Sequence, residues 1–497
     1  MKIHAFIFLL ALAPGASAQQ PARNTAADLL HSALTAMGGE QKIRSLKTIR
    51  FTALGHRNYL EQSERPEGPY IIEYAQIEEW RDLEHGSWRQ EAKTRNVLET
   101  NERTVIVADG AAVQKFGDRE VPASGEEMQD AEDVHTLSPE RVLLNALEST
   151  DLRRLPDLTL QDVPHNLVEF TRNGVPVRIY LNGETHLPTA VEWVNAYPYG
   201  IFWSIWGDVT TRAYYSLWWL QEGIHYPLQM DVFRNGLPDR TATITKLELN
   251  HNAPPDTFVI SQASRDAFAT RAKMTNDDRP LGSRPAQEPA PGIVIIPGPW
   301  NTTIVRQQDG IVVLEAPISS GYSVKLIAEA TRRFPGVPIK AVITTSDAWP
   351  HIGGVREYVA RGIPIYAVPR TRPLLERFLN APRTRFPDAL AKSPRKAELR
   401  LVSEKLVIGA GPNRMEIYPI RGETSERQMM AYFPEHKLLY GSDVFQKLPD
   451  GKYFYDQTIS EVVAAVEREH FAVETFFMMH MGLTPWQDAL KELQTAQ

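Results

Sequence analysis

The sequence predicts an α+β chain of two domains, an antiparallel curved sheet with one or two helices followed by a layered α/β sandwich. Three observations predict it. The 497 residues exceed what one hydrophobic core ordinarily organises. Residues 48–260 read as short alternating strands separated by Asp-Gly and Asn-Gly turns, and from Gly292 apolar strands alternate with helical patterns.

The chain opens on "MKIHAFIFLLALAPGASAQQ", with Lys2 near the start, an apolar run from Ala5 to Ala13, a Pro14-Gly15 break and Ala16-Ser17-Ala18 as a small-x-small cleavage site. Residues 1–18 are therefore expected to be a secretory signal peptide, leaving Gln19 as the new terminus and a periplasmic or secreted protein. An uncleaved anchor is the alternative. The apolar run is too short to cross a hydrocarbon layer of about 30 Å as a helix, so no membrane span is expected. Cysteine is absent, which excludes disulfides, thiolate metal ligands and a cysteine nucleophile. A net charge of −7 with no long basic run offers no footprint for nucleic acid.

Residues 24–262 form the first expected domain. Thr25 and Asp28 make a cap-like pair ahead of Leu29, Leu30, Ala33, Leu34 and Met37, and Gly38-Gly39 stops the helix. Strand-like runs follow, with Asp109-Gly110, Asn173-Gly174 and Asn235-Gly236 placed as hairpin turns. One further helix is expected, from Ser138. Trp193, Trp203, Trp206, Trp218 and Trp219 crowd one stretch, either to line an apolar cavity for a small-molecule or lipid-like ligand or simply to fill a core. The helix and meander, closing on "LELNHNAPPDTFVI", resemble the half-barrel of outer-membrane lipoprotein-carrier (LolA-like) domains, which implies a concave apolar face able to take acyl chains.

Residues 263–291 have little apolar periodicity and several prolines, and read as a linker. Residues 292–497 form the second expected domain, in which the strand "IKAVI" ends in "TTSDAWPHIGG". Loops at strand carboxyl ends are where such folds place their chemistry.

The segment "IVVLEAPISSGYSVKLIAEATRRFPGVPIKAVITTSDAWPHIGGVREYVARGIPIYA" resembles the core of metallo-β-lactamase-fold hydrolases, and the resemblance implies an αββα sandwich over 292–497. It also implies a His-x-His-x-Asp-His-x-Gly-Gly loop, a Gly-His-Thr, a bridging Asp at a strand end and a last His, together holding one or two zinc ions. With Gly353 and Gly354 fixing the register, Ser346, Ala348 and Pro350 stand where three ligands would be, and only His351 remains. Glu423 in "RGETSER" replaces the Gly-His-Thr histidine, while Asp443 in "LLYGSDVF" and His480 in "FFMMHMG" keep their places.

Counting agrees. From residue 292 onward the histidines are His351, His436, His470 and His480, and His436 and His470 read as structural or solvated. Two imidazoles with Asp443 and Glu423 suit a single Zn²⁺, Mn²⁺ or Fe²⁺ with a position open to water. Asp443 and His351 are then placed at the reacting centre. Without a metal, His351 would hydrogen-bond Asp443 or Glu423 and His480 would cap a turn. Asp347 is expected to cap the following turn, and Trp349 to wall off an apolar pocket. Ser346 with a histidine and Asp443 is a weaker catalytic alternative, since the Gly-x-Ser-x-Gly elbow is missing. Two readings stay open: an exported hydrolase of an ester, amide or phosphoester running on a reduced metal site, or a non-catalytic ligand-binding protein on the same scaffold.

Overall fold

The computed structural model describes residues 24–61, 65, 67–96, 99–447, 453 and 456–496, so the expected signal peptide lies outside the described residues. The chain is mixed α+β with a large antiparallel sheet. No described helix is long and apolar enough to cross a membrane.

The first helix is Ala26–Ala36, and its cap forms as its sequence dictates: Asp28 N–H donates to Thr25 Oγ1 (3.1 Å) and Thr25 N–H to the Asp28 carboxylate (2.9 Å). Leu29, Leu30, Ala33, Leu34 and Met37 are all buried. Thirteen antiparallel strands then build one sheet from two meanders, over 48–122 and 153–249. They join where Thr48–Asn58 pairs with Leu237–Leu249, Ile49 opposite Leu249. The three Asx-Gly turns are real: Asp109, Gly110, Asn173, Gly174, Asn235 and Gly236 all have φ between 50° and 80°, the left-handed pair that a tight hairpin requires.

Between the meanders lie two helices, Gly125–Leu137 and Pro139–Glu148, of which only the second was expected. The first, "GEEMQDAEDVHTL", is too polar to show an apolar period, and its start is fixed instead by a Ser124–Glu127 capping box. With Glu40–Arg44 as well, the N-terminal part exceeds the one or two helices expected. Trp203–Trp206 forms a single 3₁₀ turn.

The stretch 263–291 is more than a tether. Gln262–Arg271 is a helix that sinks Phe268 (3% exposed) against the edge of the large sheet, and Gln287–Ala290 pairs with Ile293–Ile296 as an edge strand. One buried aromatic in an otherwise solvated helix leaves no periodic signal to read.

The remainder contains a seven-stranded and a six-stranded sheet. Ile293, Val305, Val312 and Ile343 of the first share a core with Met415, Ile417, Met429 and Phe477 of the second. Helices Ser320–Arg333 and Val355–Ala360 cover the far side of the first sheet, in a cluster that also takes in Trp203 and Trp206. Asp456–Arg468 and Trp486–Ala496 cover the second. Gly353 and Gly354 let the chain press onto these layers: a Cβ at Gly354 would lie 2.1 Å from Ser323 Oγ, and one at Gly353 2.4 Å from the Ile318 carbonyl oxygen.

Candidate metal centre

The site is assembled where three strand ends meet. The buried strand Ile339–Ile343 runs into Thr345, whose N–H donates to Glu315 (3.2 Å) and whose hydroxyl bridges Glu315 and Ser442 Oγ (2.7 Å to Ser442). Tyr440 Oη donates to the same carboxylate at 3.0 Å. Glu315 is fully buried, and that burial pushes its carboxyl up to about 7 against the opposing pull of His351, Thr345 and Tyr440. This network ties together the loops on which the next residues stand.

His351 lies on the short helix Trp349–Ile352 and is 2% exposed. Its Nε2 is 3.2 Å from Asp443 Oδ2, and His480 Nε2 is 3.0 Å from Asp443 Oδ1. One donor atom from each of the three lies within 4.8 Å of the others. Asp443 and His480 are about one-fifth exposed (22% and 18%), so the trio opens to solvent on one side.

His480 is held from behind. Its Nδ1–H donates to the Pro299 carbonyl (2.8 Å), which leaves Nε2 as the nitrogen turned to Asp443. The turn bearing it is anchored by Asn301, 3% exposed, whose side-chain amide donates to the carbonyls of Met478 (2.9 Å) and Met481 (3.0 Å). Trp300 meets the His480 ring edge-on at 5.9 Å.

Both contacts are at ion-pair distance. Asp443 Oδ1 and His351 Nδ1 are buried atoms without a hydrogen-bond partner. Burial pushes the Asp443 carboxyl up, but the two imidazoles more than reverse this and hold it well below the usual carboxylate range. His480 is raised above an ordinary imidazole, because Asp443 and the Pro299 carbonyl outweigh its burial. Two imidazole nitrogens and a carboxylate brought within 4.8 Å of one another are a donor set that fits a borderline divalent cation.

Three of the four expected ligands thus come together, and Glu423 does not. It is exposed and outside the group, because its loop is pulled toward the helix Asp456–Arg468, where Glu461 accepts the N–H groups of Thr424 and Ser425 (3.0 Å each). Asp347 does not cap the helix that follows. It pairs with Arg427 at 2.6 Å, at 12% and 13% side-chain exposure, and burial still raises its carboxyl despite that partner. Ser346 Oγ accepts from the Ala348 N–H (3.2 Å), and both site imidazoles face Asp443, which leaves no histidine base bonded to the serine among the described residues. His436 is occupied by Asn413 (2.9 Å) and His470 sits just past a helix end, as expected of structural positions. Trp349 is spent on packing instead of a pocket wall: it is buried against Trp203 and Trp206, with ring centroids 5.0 Å from each. Reading the sequence for ligands missed Asn301, Glu315 and Arg427, whose neighbours in sequence carry no metal-binding spacing.

No known protein-family profile matches the chain. Among solved structures it is similar to the metallo-β-lactamase DIM-1, at 14% identity over 44% of this chain and 100% of that one, with a TM-score of 0.34. It is also similar to TMB-1, at 15% identity over 43% of this chain and 96% of that one, with a TM-score of 0.33. A third is the stereoselective inverting sec-alkylsulfatase from Pseudomonas sp., at 17% identity over 43% of this chain and 40% of that one, again with a TM-score of 0.33. Likenesses this remote assign no chemistry to the chain, and what the site can do follows from His351, Asp443 and His480.

Proposed function

We propose that this protein is an exported metallo-β-lactamase-fold hydrolase, its C-terminal αββα layers carrying one divalent cation, Zn²⁺ with Mn²⁺ or Fe²⁺ as substitutes, on His351, Asp443 and His480. The observation that carries this reading is the convergence of both Nε2 atoms on a carboxylate whose Oδ1 has no hydrogen-bond partner. A cation there would polarise an ester, amide or phosphoester and acidify water. The chain's own residues prepare the place for it: Pro299 fixes the His480 tautomer, Asn301 fixes the turn, and the Glu315 network fixes the floor. Among the described residues a second cation has no comparable set, since Ser346, Ala348, Pro350 and the outward Glu423 supply no cluster of donors.

The test is metal analysis of the purified mature protein, in parallel with His480→Ala. About one equivalent in the parent and little in the variant is expected. Less than a tenth of an equivalent in the parent, with no uptake of added Zn²⁺ or Mn²⁺, would sink the reading. The alternative of a non-catalytic binding protein is favoured by the Asp347–Arg427 pair, which fills part of the old ligand loop with a structural ion pair. Hydrolysis of a generic ester that disappears in Asp443→Asn would decide against it. Export is checked by N-terminal sequencing of protein recovered from outside the cytoplasm, which should begin at Gln19.

A further inference from the structure

Away from the metal centre, two cavities of about 510 Å³ and about 280 Å³ lie on the seam between the large sheet and the C-terminal layers. Both are lined by Ala196, Pro198, Arg385 and Phe386, so they adjoin as one cleft with Arg385 and Phe386 at its waist. Their ends differ in chemistry. The larger is walled by Met128, Leu137, Val177, Trp193 and Phe268, and its cation, Arg172, is matched there by Glu132 (2.7 Å) and Asp133 (3.5 Å).

The smaller end carries cations in excess. Arg383, Arg385 and Lys392 line it together with Asp277 and Asp388. Asp388 is already engaged by the buried Arg356 (2.6 Å) and shared with Arg383 (3.3 Å), while Asp277 accepts the Gly321 N–H at the start of helix Ser320–Arg333 (2.7 Å). Arg385 donates to the carbonyls of Gly174 (3.0 Å) and Asn173 (3.5 Å), and neither it nor Lys392 forms an ion pair among the described residues. Burial and the neighbouring Arg356 bring the Arg383 guanidinium down to about 10, as expected where one carboxylate serves two arginines. Phe386 stands 52% exposed between the two ends.

We propose that this cleft binds a small anionic amphiphile, with its apolar body in the larger end and its carboxylate, sulfate or phosphate head among Arg383, Arg385 and Lys392. A cavity of this size whose apolar walls surround an internally paired arginine, and which opens at its other end onto cations without ion pairs, has the mixed lining usual in a small-molecule site. The head end is also lined by Gly353, two residues from His351, so an occupant would sit against the back of the loop that bears the candidate metal ligand. This site does not depend on the metal reading, because none of the three candidate ligands lines it.

Calorimetric titration of the full chain with straight-chain carboxylates from hexanoate to dodecanoate, kept below micelle formation, tests it. Affinity should rise about fourfold per added methylene until the larger end is full, and each carboxylate should bind at least tenfold more tightly than the alkylammonium of equal length. Arg385→Glu, a change at an exposed side chain, should weaken the carboxylates about tenfold or more, and Phe386→Ala should flatten the dependence on chain length. His480→Ala should leave all of this unchanged, which separates failure of this site from failure of the metal site. Affinity indifferent to chain length, equal binding of carboxylate and ammonium, or unaltered binding by Arg385→Glu overturns the proposal.

Discussion

The indole of Trp206 meets that of Trp349 edge-on, with ring centroids 5.0 Å apart and planes at 80°, so the loop bearing His351 is seated on a turn of the N-terminal part. Trp203 meets the same indole at 5.0 Å and 76°, and the backbone N–H of Trp349 donates to the Glu61 carbonyl (3.4 Å). The two parts of the chain therefore share one core at the point where the candidate site is built.

From this follows a prediction about stability. Trp349→Ala removes a fully buried side chain and its two ring contacts, and should cost about 3–5 kcal/mol in urea unfolding. Trp349→Phe should cost markedly less and keep metal uptake, since a smaller ring still fills most of the slot. An alanine variant as stable as the parent would show that the seat is not formed.

The metal site makes a contrasting pair of predictions. Asp443→Asn should lower metal content sharply, because the amide loses the charge and one donor position on which both imidazoles converge. Glu423→Ala should leave metal content unchanged, since Glu423 is exposed and outside the donor group. Atomic absorption on the two variants distinguishes them, and loss of metal in Glu423→Ala would restore it as a ligand.

That contrast also marks how far the sequence could be read. The first helix, its Thr25–Asp28 cap and the three Asx-Gly hairpins were legible because each is a local device within a few residues. The convergence of His351, Asp443 and His480 was legible because each sits next to an apolar strand end or a glycine marker. Glu423 failed for a non-local reason: its loop direction is set by Glu461, far along the chain on another helix. Asp347 failed likewise, since its partner Arg427 comes from a different loop. The helix Gly125–Leu137 was hidden by its own polarity, and the fate of the tryptophans depended on how two parts of the chain meet.

The Asp347–Arg427 pair has a testable energetic signature. Arg427→Met leaves a carboxylate of 12% exposure without its cation, and should cost about 3–5 kcal/mol near neutral pH. Removing both charges, in Asp347→Asn with Arg427→Met, should recover most of that loss. Additive costs in the double variant would mean that the two side chains do not interact.

Glu315 should impose a pH dependence on stability opposite in sign to that of an ordinary ion-paired acid. Its folded carboxyl is pushed up to about 7 by burial, from an unfolded value near 4.5. Below the unfolded value both states hold the proton, and the stabilisation is fully present. As pH rises toward 7 the unfolded chain ionises while the folded one keeps its proton, so stability falls and then levels off. At about 1.4 kcal/mol per unit the fall is about 3 kcal/mol across this window. Glu315→Gln isolates the effect, since the amide resembles the protonated carboxyl in shape. The melting temperature of the parent should drop between pH 5 and pH 8 by more than that of the variant. Equal pH profiles would show that Glu315 is ionised in the fold, with Thr345 and Tyr440 as donors sufficient to keep its charge.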